Sequence, residues 1–85
     1  MIRYFSYALS GDGVLSAGPF FLIILLKKAG IVFPFHPKFN KAKGQFLFFP
    51  IQEIDEEMKR RALVLLQGEG FAGAEIKTLG NYVKW

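Results

Sequence analysis

The chain has 85 residues, a formal net charge of +4 and 52% hydrophobic residues, with ten Phe and no Cys. The missing cysteine excludes disulfides, thiolate metal ligands and thiol nucleophiles, and fits a reducing compartment such as the cytoplasm. A chain of this length is expected to form one compact domain spanning 1–85, burying about 60–65% of its unfolded surface.

Ile2–Leu9 is rich in aromatic and branched residues and stops at Ser10-Gly11-Asp12-Gly13, which reads as a strand and a tight turn. The apolar run Pro19–Leu26 follows. Eight residues are too few for a membrane span, which takes roughly 20. A secretory signal is not expected either, because Gly and Asp interrupt the apolar segment upstream and Lys27-Lys28 stand where a cleavage site would lie. Pro19 suits the first position of a helix, Lys27 and Lys28 complement the negative end of its dipole, and Gly30 suits the cap. The alternative is a strand, Val14–Leu26, pairing back on Ile2–Leu9; the terminal residues favour the helix.

Ile31–Phe35 reads as a short strand with Pro34 at an edge or end, and 36–44 as a polar, basic turn. Gln45–Phe49 reads as a second strand stopped by Pro50, so the two strands and the basic loop form a hairpin. Next comes an amphipathic helix with Ile54, Met58, Ala62 and Leu65 on one face. Asp55–Lys59, Glu56–Arg60 and Glu57–Arg61 are i,i+4 pairs in the favourable order, and Gly68 ends the helix. Ala74–Leu79 reads as a final strand that Tyr82, Val83 and Trp85 extend.

The order strand, helix, strand, strand, helix, strand is the split βαβ plan. The fold class is therefore α+β, a small antiparallel sheet of about four strands with helices on one face, ferredoxin-like favoured. If 14–26 were a strand, a β-hairpin start with a single main helix would remain.

Charge is unevenly placed. Residues 1–51 carry six basic residues against Asp12 alone, while 52–85 are nearly balanced. A basic half raises the expectation of an anionic partner. The loop His36, Lys38, Phe39, Lys41 and Lys43 is the candidate binding surface, with lysines for phosphates and Phe39 for stacking a base. The plainer reading is a solvated hairpin tip that blunts a sheet edge. Gly68-Glu69-Gly70-Phe71-Ala72-Gly73 matches G-x-G-x-x-G but follows a helix and precedes a strand, the reverse of a phosphate cradle, and reads as a helix cap. His36 is the only histidine, and no ligand cluster accompanies it, so neither a metal nor another cofactor is expected.

The phrase Leu22–Gly30, then a basic loop with His36, then a strand and a helix, resembles the HicA-type toxins. That resemblance covers about the middle half of the chain and implies a small basic RNase with a double-stranded-RNA-binding-like fold and a catalytic histidine. The family's Gly-Ser-His-His phrase is not present, and no catalytic residue is assigned. Large apolar residues exceed what one small core needs, so the favoured expectation is a non-enzymatic protein that binds a protein partner or a second copy of itself. Phage-encoded or mobile-element inhibitors of the anti-CRISPR type belong to this size class. Nucleic-acid binding through the 36–44 loop is the alternative, and a HicA-like RNase the remote one.

Overall fold

Alternating apolar residues in β1 (Ile2–Ser10) set the centre of a four-stranded antiparallel sheet, because Tyr7 and Leu9 point to one face and Ala8 to the other. The computed structural model describes residues 2–33 and 36–84, and side chains within 5–33 and 36–81. The elements that follow β1 are α1 (Val14–Ala17), α2 (Pro19–Lys28), β2 (Lys38–Asn40), β3 (Gln45–Phe48), α3 (Glu56–Gly68) and β4 (Glu75–Lys84). Strand order is β2-β3-β1-β4, with β1 antiparallel to both β3 and β4. The fold is thus α+β, and its order is compatible with the ferredoxin-like plan. The Cα radius of gyration, 12.0 Å, is that of a packed chain of this length, about 12 Å.

Residues 14–26 are helical, not a strand. Pro19 has no N–H to donate, so the helix breaks before it, leaving the one-turn α1 and the ten-residue α2. At its far end α2 closes with paired bonds from Ile31 N–H to Leu26 O (3.0 Å) and from Gly30 N–H to Lys27 O (3.0 Å). The buried pair Ile31 and Leu26 packs under this cap, the usual apolar companion of the motif. α3 ends the same way. Phe71 N–H donates to Leu66 O and Gly70 N–H to Gln67 O, at 3.1 Å each, so the glycine-rich stretch is a helix cap.

The strand expected at Ile31–Phe35 is not formed over 31–33, and 34–35 lie outside the described residues. Ile31 spends its N–H on the α2 cap. Val32 is held by Gln52 and Ile51 instead of a ladder: Gln52 Oε1 accepts from Val32 N–H (3.4 Å), Gln52 Nε2 donates to Gly30 O (2.6 Å), and Ile51 N–H donates to Val32 O (2.9 Å). The first strand of the hairpin lies further on, at Lys38–Asn40, within the stretch expected to be loop.

In α3, Asp55 precedes the helix as its cap, accepting from Met58 N–H at 2.8 Å. That engagement accounts for Lys59 pairing with Glu56 (3.3 Å) where Asp55 was expected; Glu57–Arg61 forms as expected at 3.6 Å. Ala62 and Leu66 are the fully buried positions, and Leu65 is half-buried. β4 runs along β1 to Lys84, with Leu79 as an extra residue between the Tyr7–Thr78 and Ser6–Gly80 pairs; Trp85 lies outside the described residues. The core joins Tyr7, Leu9, Phe46, Phe48 and Ile76 from the sheet to Leu22, Leu25 and Leu26 of α2 and Ala62 and Leu66 of α3.

Candidate functional site

Strand geometry separates the residues expected to form a basic binding loop. Lys38 pairs with Leu47 and lies 5.9 Å from the Phe49 ring centre, on the sheet face away from the helices. Phe39, the next residue, turns to the helix side and packs on Phe46 with centroids 5.5 Å apart. Lys41 and Lys43 stand on the exposed four-residue tip beyond Asn40, and the tip comes back beside Leu15 of α1 at Gly44. His36 sits apart, its ring edge-on to Phe20 at 4.5 Å. Among the described residues His36 makes no hydrogen bond or ion pair. Lys38 and Phe39 therefore do not share one surface.

A different surface is assembled around α2. Its inner face, Leu22, Leu25 and Leu26, is buried. Helical spacing puts Phe20, Ile24 and Lys27 (i, i+4, i+7) on the outward stripe. Phe20 is 71% exposed and Ile24 54%, where a globular helix ordinarily carries polar residues. On one flank Phe21 meets Phe71 edge-on at 6.0 Å. On the other, Ile23 and Lys27 border a surface slot of about 150 Å³ completed by Ile31, Val32 and Phe33. The contrast with α3 is one of proportion: α3 sets the Glu56–Lys59 and Glu57–Arg61 pairs beside one exposed apolar residue, Val64, whereas the exposed side of α2 before Lys27 is aromatic and branched.

Two exposed lysines, Lys27 and Lys28, close α2 at its C-terminal end. No Asp or Glu occurs between Asp12 and Glu53, while Lys27, Lys28, Lys38, Lys41 and Lys43 are all exposed. The ion pairs of the described residues use none of these five. Acidic residues gather elsewhere. Glu53 and Asp55 line a cleft of about 370 Å³ with Phe5 and Ile54, next to the Tyr7 hydroxyl, which donates to Ile54 O at 3.2 Å. Burial, reinforced by the negative charges of Glu53 and Glu56, pushes the Tyr7 phenol above its ordinary value.

Sequence reasoning singled out the apolar surplus of Pro19–Leu26 but not which residues face outward. An unbroken apolar run has no periodicity to mark its exposed side. No family model, curated protein or solved structure matches the chain, so its function is argued from its own surface.

Proposed function

We propose that this chain is a non-enzymatic interaction protein that docks through the outer face of α2 on an acidic surface of another protein. The observation that carries this reading is the Phe20–Ile24 pair, largely exposed on a helix whose opposite face is fully buried. Neither side chain contributes to the core cluster, and an apolar helix stripe left in water favours association. Covering the part of each that is still exposed releases about 1–2 kcal/mol, the size of a contributing interface residue. Lys27 and Lys28, exposed at the end of α2, make an acidic partner the complementary one, and the lysine excess of residues 13–52, which hold no Asp or Glu, speeds its approach at low salt. A small chain acting this way works by occupying its partner's surface, as a stand-alone inhibitor does. A nucleic-acid reading is weaker because Lys38 and Phe39, the cation and the ring it would use together, lie on opposite faces of the sheet.

Affinity capture from the source cells, with and without nuclease, tests this reading against a Phe20→Ser/Ile24→Ser double variant. The expected result is an acidic protein retained by the wild type after nuclease treatment and lost from the variant. Capture that survives the double substitution, recovery of nucleic acid alone, or an empty eluate overturns the proposal.

A further inference from the structure

We infer that the slot beside α2 receives one branched aliphatic or phenyl side chain of that partner while a carboxylate of the same segment sits on Lys27; this deepens the docking reading above and rests on it. The slot, open to solvent on one side, offers about 150 Å³, room for one benzene-sized group. Ile23, the fully buried Ile31, Val32 and Phe33 line it with apolar side chains, and among the described residues Lys27 is the one charged group lining it. Among the described residues no carboxylate pairs with Lys27.

The slot is also preformed. Gly30–Val32 cannot shift freely, because Ile31 N–H closes the α2 cap and Gln52 grips the chain on both sides of Ile31 through Gly30 O and Val32 N–H. Ile51 N–H adds a third tie, to Val32 O. A wall held in place needs little ordering on binding, which is what separates an anchor pocket from an incidental dimple. The chemistry selects the occupant. A hydrophobic side chain next to Asp or Glu satisfies both the apolar walls and the ammonium, whereas one next to Lys or Arg meets a like charge.

The test uses the intact chain and two-dimensional NMR with three probes: acetyl-Leu-Asp-amide, acetyl-Leu-Asn-amide and acetyl-Ala-Asp-amide. At about 10 mM, where a millimolar site is filled, the Leu-Asp probe is expected to shift the signals of Ile23, Ile31, Val32 and Phe33. The Leu-Asn probe is expected to bind about two- to fivefold more weakly, as for an exposed ion pair, and the Ala-Asp probe about tenfold more weakly or worse. In Lys27→Met, whose side chain is exposed and dispensable for the core, the Leu-Asp and Leu-Asn probes are expected to become equivalent. No shift, shifts confined to other surfaces, or a preference for Leu-Asp that survives Lys27→Met overturns the inference. Slot binding without any captured partner instead condemns the docking proposal, and capture without slot binding condemns only the slot.

Discussion

Tyr7 shows how one side chain ties the sheet to the start of α3. It is 2% exposed, stacks on Phe48 with centroids 5.7 Å apart, and donates its hydroxyl proton to Ile54 O. Tyr7→Phe leaves that carbonyl without its donor and is expected to cost about 1–3 kcal/mol in urea denaturation. The phenol also sets a pH limit. Its folded pKa lies above the unfolded value of about 10, so the unfolded chain loses its proton first. The associated stability is complete below pH 10 and is lost as pH rises through the folded pKa. Melting curves from pH 8 to 11 are expected to show the gap between wild type and Tyr7→Phe narrowing above pH 10. Gly11 sits at a different limit. A Cβ there would overlap Gly73 O and fall 2.6 Å from Ala74 Cα, with φ at 129°. Both obstacles are backbone, so Gly11→Ala is expected to destabilise by about 2–5 kcal/mol, again read by denaturation.

At the scale of elements, α2 has two apolar faces, one buried in the core and one exposed. Leu26→Ala empties a fully buried position and is expected to lower stability by about 2–5 kcal/mol. Phe20→Ser and Ile24→Ser are each expected to stay within about 0.5 kcal/mol of wild type, because neither belongs to the core. Thermal melts of the three variants separate the faces, and a large loss at Phe20 or Ile24 would make the outer stripe structural. The ends of α2 were legible in the sequence because Pro19 and Gly30 act locally, through a missing N–H and a cap. β2 was not legible. Lys38-Phe39-Asn40 carries a single apolar residue, and only its pairing with Gln45–Leu47 makes it a strand. The stretch 31–33 misled for the opposite reason: its branched and aromatic residues suit a strand, but its backbone is committed to the α2 cap and to Gln52.

At the scale of the molecule, the class and the alternation of helices and strands followed from the sequence, since hydrophobic runs and their punctuation report on burial. The proposed docking surface did not, because residues 20, 24, 27 and 31–33 are brought together only by a helix and a turn. The lysine excess of the first half was visible as a count, but its value depends on placement. Lys38 faces away from the helices, Lys41 and Lys43 stand on the hairpin tip, and Lys27 borders the slot. The most direct test is the NMR footprint of a captured acidic protein on this chain. Signals of Phe20, Ile24, Lys27 and Ile31–Phe33 are expected to shift, while those of Lys38, Lys41 and Lys43 move little. A footprint centred on the hairpin tip or the open face of the sheet, with α2 undisturbed, would contradict the account.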